Sequence, residues 1–263
     1  MKLIEITIYP VKSCAGISLP SVKIDRFGPE GDRRWMVVKE ATGSFLTQRE
    51  VSRMAQVGVA LGPEGIHLDC DGSALAVPLP GVDAAARRVR VWDDQVAALD
   101  AGDDAAAWLS GHLATKCRLV FMPQDTVRYV DGAYACEGET VGFADGFPLL
   151  LISQASLDEL NSRLPAPVPM NRFRPNLVIS DCEPFDEDNW RRIRIGEMEF
   201  DVAKACSRCV IPSIIQATGQ RDPHINRTLA SFRRINGQIY FGQNLLYQQT
   251  GRLRTGDSVE LVA

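Results

Sequence analysis

Met198-Glu199-Phe200-Asp201-Val202 alternates apolar and polar residues as a half-buried strand does, and it runs on into Ala205-Cys206-Ser207-Arg208-Cys209-Val210-Ile211-Pro212. Together the two stretches put a pair of thiols and a guanidinium at the end of a strand. Strand ends on a rigid scaffold are where side chains are offered to a ligand, so this element reads as a site. Cysteine is also among the most often buried residue types, and one of the two is expected to pack as a small hydrophobe.

Working outward, 263 residues suffice for one large domain or two small ones with a buried core. Apolar residues at 45% and charged residues at 24% exclude collagen-like, disordered and coiled-coil chains. A formal charge of −4 argues against nucleic acid as a partner, though a local basic pocket fits inside an acidic total. Seven scattered cysteines without a secretory signal predict a reducing compartment, and no apolar run is long enough for a membrane span, so a soluble cytoplasmic protein is expected.

Residues 3–9 form a β-branched strand, and Val11-Lys12-Ser13-Cys14-Ala15-Gly16 follows as a loop with a cation and a hydroxyl able to hold an oxyanion, or as a merely solvated loop. Residues 22–25 and 35–38 read as strands around a second cationic loop with Arg33. A third polar cluster contains Arg49. Residues 57–99 read as a β-meander, and residues 103–113 as a helix with Asp103 and Asp104 at its start and Ala106, Ala107, Leu109 and Leu113 on its apolar face. Residues 117–121 return to strand.

The polar stretch 123–139 reads as the connection between two halves. Residues 149–152 form an apolar strand that feeds a helix at Ser153, with Ser156 and Glu159 in capping-box spacing. Caps explain these serines, although a helix start also offers an anion site to Ser153. Met170-Asn171-Arg172-Phe173-Arg174-Pro175-Asn176 is a fourth cationic loop, residues 181–188 an acidic surface excursion, residues 240–246 a strand and residues 251–261 a hairpin. The outcome is a mainly β, α+β chain with a few helices.

No Walker loop, dinucleotide fingerprint or internal repeat is present, and the three histidines show no zinc-ligand spacing. What remains is a thiol pair with Lys12, Arg33, Arg49, Arg174 and Arg208 on loops beside strands. Thiolates suit transition metals and Arg forks suit phosphate, so one anionic metal cofactor satisfies both.

Tyr9-Pro10-Val11-Lys12-Ser13-Cys14-Ala15-Gly16, Gly31-Asp32-Arg33-Arg34-Trp35, Phe173-Arg174-Pro175-Asn176 and Cys206-Ser207-Arg208-Cys209 together resemble the MOSC family with its N-terminal β-barrel partner domain. The similarity extends to the mitochondrial amidoxime-reducing components and the bacterial YcbX-type proteins. It implies two packed β-barrel-like domains, residues 1–122 and 123–263, and the molybdenum cofactor (Mo-molybdopterin). It further implies that Cys209 ligates molybdenum as the catalytic residue, and that Lys12, Ser13, Arg33, Ser153, Arg174, Asn176, Ser207 and Arg208 hold the pterin and its phosphate. A pyridoxal phosphate association also travels with the family.

The activity implied is reduction of N-hydroxylated compounds by oxygen-atom transfer to molybdenum. Without a ferredoxin-like extension after residue 263 or an iron–sulfur cysteine signature, electrons are expected from a separate reductase, flavin or iron–sulfur protein. No nucleic acid or membrane partner is expected. Two alternatives predict other outcomes: a sulfur or cofactor carrier using a Cys209 persulfide, and a non-catalytic binding module.

Overall fold

The computed structural model describes residues 1–136 and 138–262; Glu137, inside the connection expected at 123–139, and the terminal Ala263 lie outside the described residues. The chain is mainly β with three α-helices, α1 (Asp103–Leu113), α2 (Gln154–Ser162) and α3 (His224–Phe232). A nine-stranded sheet dominates. Its path runs Val259–Leu261, Arg192–Ile195, Met198–Ser207, Gln238–Leu246, Leu149–Ser153, Leu177–Ser180, Lys2–Ile8, Ile17–Leu19, with Arg234–Ile235 beside Gln238–Leu246. The mainly β, α+β expectation holds, and among the described residues the strands form several sheets, none of which closes into a barrel.

The opening strand does not stay with the meander that follows it in sequence. Lys2–Ile8 pairs antiparallel with Leu177–Ser180, and Ser21–Asp25 pairs with Gly251–Arg254. Both pairings join the first residues to the last third of the chain. Their apolar faces fill one core in which Leu3, Ile6, Ile8, Ile24, Leu177, Ile179 and Leu253 are fully enclosed. Burial of this kind contributes about 25 cal/mol per Å² of apolar surface.

The meander itself forms two smaller sheets. One orders Trp35–Lys39, Cys117–Phe121, Asp94–Asp100 and Ala86–Val91; the other stacks Gly58–Gly62, Gly65–Cys70 and Ser73–Pro78. Helix α1 closes the core beneath the second. Ala105, Leu109 and Leu113 fall four apart on its buried face, so Ala105 takes the inward place expected for Ala107, which is exposed. Cys14, Cys70 and Cys117 are buried in the same core, as packing cysteines are.

Two other expectations change. Residues 251–261 are not a hairpin: Gly251–Arg254 leaves for Ser21–Asp25 while Val259–Leu261 pairs with Arg192–Ile195. The acidic stretch 181–188 is not wholly a surface excursion, because Glu187 is completely buried beneath the start of α2.

The strand Met198–Ser207 alternates only through Phe200, is half-buried from Asp201 to Cys206, and ends on the exposed Ser207. Register shifts against Gln238–Leu246 lie between Val202 and Lys204 and between Ala205 and Ser207. Bulges bend a strand and re-aim its side chains, and here they turn the Cys206–Cys209 segment away from the sheet. The partner strand adapts with a glycine: Gly242 has φ +83°, and a Cβ there would lie 2.6 Å from Ile152 Cγ1 and 2.8 Å from Leu151 O.

Gly242→Ala should therefore destabilise the fold by more than about 1 kcal/mol, since positive φ and a backbone clash combine. A drop in the urea midpoint relative to wild type, at unchanged slope, is the expected result.

Candidate functional site

The loop after Lys2–Ile8, the loop before Leu177–Ser180 and the bulged end of Met198–Ser207 converge on one cleft. Its walls include Lys12, Ser13, Arg33, Arg49, Asp145, Arg174, Asn176, Ser207, Arg208 and Cys209. Five lining cations face a single lining carboxylate, Asp145.

Three of the wall residues, Ser13, Arg33 and Arg174, sit in the left-handed region with φ of 70°, 44° and 57°. Non-glycine residues there cost of order 1 kcal/mol each and persist where surrounding bonds over-determine them. For Arg33 those bonds are visible. Its N–H donates to Tyr9 O at 2.9 Å, and its Nη1 donates to Asp32 Oδ2 at 2.6 Å and Asn176 Oδ1 at 2.9 Å.

Asn176 also accepts from Leu150 N–H and donates from Nδ2 to Thr7 O at 3.1 Å. Most of its hydrogen-bonding capacity is thus used inside the protein, where it aims Arg33.

Lys12 is 5% exposed, and its Nζ donates to Phe143 O at 2.7 Å and Asp145 Oδ1 at 2.5 Å. Burial pulls its pKa down to about 8 against the attraction of Asp145, with Arg128 and Arg33 adding to the fall. Desolvation pushes the Asp145 carboxyl upward, but Lys12 and Arg49 outweigh it and hold the group well below the usual carboxylate range. Arg49 Nη2 lies 3.1 Å from Asp145 Oδ2, and the guanidinium stacks 4.8 Å from the Trp92 ring centroid; against the downward pull of burial, Asp145 and then Cys209 raise its pKa.

Arg174 and Arg208 are different, since among the described residues neither has a carboxylate partner. Arg174 is 8% exposed, and its one side-chain hydrogen bond is a long one, Nη1 to Gln216 Oε1 at 3.4 Å. Burial lowers its pKa to about 10, with Arg33 adding to the fall. Arg208 donates from Nη1 to Cys206 Sγ at 3.2 Å and from Nη2 to Phe173 O at 2.8 Å, while its buried Nε has no partner.

The half-buried Cys209 thiol accepts from Ile211 N–H at 3.4 Å, and the Cys209 carbonyl accepts from Asn226 Nδ2 on α3 at 3.2 Å. Beneath this turn, Arg172 Nε donates to Pro212 O at 2.8 Å. The loop is pinned from below, so the thiol has a fixed aim. Cys206 also lines the cleft and is half-buried, so neither thiol is the buried packing residue that composition suggested.

Of the residues anticipated from sequence, Ser153 alone is not brought to the cleft. It is fully buried, accepts from Ser156 N–H at 3.0 Å as the cap of α2, and donates to Glu187 Oε2 at 3.0 Å. Ser156 donates to Glu187 Oε1 at 2.7 Å rather than opening a capping box with Glu159. Asp145 lies between the connection at 123–139 and the strand at 149, in residues to which the sequence assigned no role, and Arg49 stood among the five loop cations without a place in the set that holds the cofactor.

Residues 1–116 match the MOSC N-terminal beta barrel domain, and residues 138–260 match the MOSC domain. Mitochondrial amidoxime-reducing component 1 of Mus musculus is 32% identical over 278 residues, covering 98% of this chain and 81% of that protein. Molybdenum cofactor sulfurase of Arabidopsis thaliana is 31% identical over 268 residues, 93% of this chain but 33% of its own length. Among solved structures, the YUAD protein from Bacillus subtilis aligns with 98% of this chain and 93% of its own at 11% identity and a TM-score of 0.47. With matches across both halves and relatives above 30% identity along nearly its full length, the chain belongs to the MOSC family.

Proposed function

We propose that this protein is a molybdenum-cofactor oxidoreductase that reduces N-hydroxylated small molecules, using electrons from a separate donor protein. The observation that carries the reading is Arg174, a buried guanidinium without a counter-ion at the wall of a cleft that also holds a half-buried thiol. A buried charge is costly unless paired, and the orphaned Arg208 Nε adds a second unmet donor. An anion with phosphate geometry supplies what both lack.

The donor set fits the group. Arg33, Arg174 and Arg208 would grip the pterin and its phosphate, with Lys12, Ser13 and Ser207 at the rim and Asn176 behind Arg33. Each charge-assisted bond contributes about 1.5–3 kcal/mol. Cys209 would ligate the metal, and the bound cofactor supplies two-electron oxygen-atom chemistry. The protein's part is to fix Cys209 through Ile211 N–H, Asn226 and Arg172, and to keep Arg49 beside the sulfur. Pyridoxal phosphate fits less well, because the cleft's lysine is engaged with Asp145 and the Phe143 carbonyl.

No helix among the described residues is long and apolar enough to cross a membrane. The similarity to molybdenum cofactor sulfurases supports a second reading, in which Cys209 carries sulfur or hands over the cofactor. It predicts sulfane sulfur on Cys209 and no turnover.

Expression in a host that makes the cofactor should give near-stoichiometric molybdenum in wild type and none in Cys209→Ala. Metal and N-reduction surviving in that variant would refute the ligand role. Arg174→Ala should keep its circular dichroism spectrum and lose most of its pterin, read by fluorescence after acid release.

Lys12 carries its charge below about pH 8 and loses it above. With Asp145, Arg33 and Arg128 facing it, cofactor retention on dilution should decline between about pH 8 and 9 in wild type. Lys12→Arg, whose charge persists, should flatten that decline.

A further inference from the structure

The guanidinium carbons of Arg33 and Arg174 stand 4.4 and 4.1 Å from the centroid of the same ring, that of Tyr9. That ring is 2% exposed and immobilised on every side. Its hydroxyl donates to Pro175 O at 3.1 Å, its backbone N–H donates to Asp32 Oδ1 at 2.7 Å, and its carbonyl accepts from Arg33 N–H at 2.9 Å. Gly16 leaves room for the ring edge: a Cβ there would lie 2.6 Å from Tyr9 Cε1.

Two guanidiniums this close repel each other, and one has no carboxylate to compensate. A carboxylate beside Arg174 would solve the repulsion but would compete with any incoming anion. An aromatic face stabilises a cation without accepting its in-plane N–H donors, so those donors stay free. Deep burial pushes the Tyr9 phenol to about 12, which keeps the ring neutral at working pH.

We propose that Tyr9 is a positioning residue that holds Arg33 and Arg174 as a preformed receptor for a phosphate dianion. The inference rests on the cofactor reading above and deepens it: the phosphate end of the ligand is recognised by two guanidiniums packed on one ring, Arg33 aimed also by Asp32 and Asn176, and Arg174 held by the ring without a carboxylate. The hydroxyl contributes a tether to Pro175, and the ring contributes the positioning.

The test uses the full-length chain freed of cofactor, with inorganic phosphate as the probe and chloride at equal ionic strength as the reference. The readout is the phosphate concentration giving half-maximal thermal stabilisation. Tyr9→Phe should match wild type, whereas Tyr9→Leu should need roughly tenfold more phosphate or more. Gly16→Ala, which pushes the ring without changing its chemistry, should shift in the same direction. Phe200→Leu, at a fully buried ring that packs edge-on against Tyr247 in the sheet core and does not line the cleft, controls for a merely destabilised fold and should keep wild-type phosphate dependence.

Loss of phosphate dependence in Arg174→Ala but not in Tyr9→Leu would overturn the role of Tyr9 while leaving the cofactor reading intact. No phosphate dependence in wild type would overturn both.

Discussion

The antiparallel pairing of Lys2–Ile8 with Leu177–Ser180 is the constraint on which the cleft depends. It is sealed at one end by a reciprocal contact, Thr7 N–H to Asn176 O at 2.8 Å and Asn176 Nδ2 to Thr7 O at 3.1 Å. Because the strand ends there, the following Tyr9–Gly16 loop is delivered against Arg174 and Pro175. Lys12, Ser13 and Arg33 would otherwise belong to a different sheet from Cys209. The site is a seam between segments far apart in sequence, and its chemistry exists only where the seam closes.

Charge is distributed along that seam with a clear division. Lys12, Arg33 and Arg49 have carboxylates, which fix them in place and lower the cost of their burial. Arg174 and Arg208 have carbonyls, an amide, a thiol and aromatic faces instead. The first group shapes the wall; the second keeps donors available. Asp145 links Lys12 to Arg49, whose guanidinium lines the same cleft as Cys209.

Much of this was legible in the sequence where local rules suffice. Residues 103–113 and 117–121 carry their periodicity openly, with Asp103 and Asp104 marking the helix start, and the four cationic loops announce an anion. The exceptions follow one physical pattern. The supposed hairpin at residues 251–261 failed because strand partners are chosen by tertiary burial, not by the nearest turn. Ser153 was assigned to the ligand because a helix start offers free N–H groups, but Glu187, brought from a distant acidic stretch, already fills that place. Asp145 lies outside every element read from the sequence, and only the fold brings it to Lys12 and Arg49.

The interleaved connectivity also orders events in time. Tyr9 meets Pro175 across 166 residues, and Ser21–Asp25 finds its partner only when Gly251–Arg254 has been made. During synthesis Lys2–Ile8 can pair at first only with the neighbouring Ile17–Leu19, and its other edge waits for Leu177–Ser180. Such distant pairings carry a large loop-closure cost and form slowly. The meander and α1 can condense on their own contacts meanwhile. The cleft thus cannot be complete before Cys209 and then Asn244, the last residue of its wall, have been made, so cofactor loading comes late in synthesis and occupancy of the cleft is coupled to the lifetime of the fold.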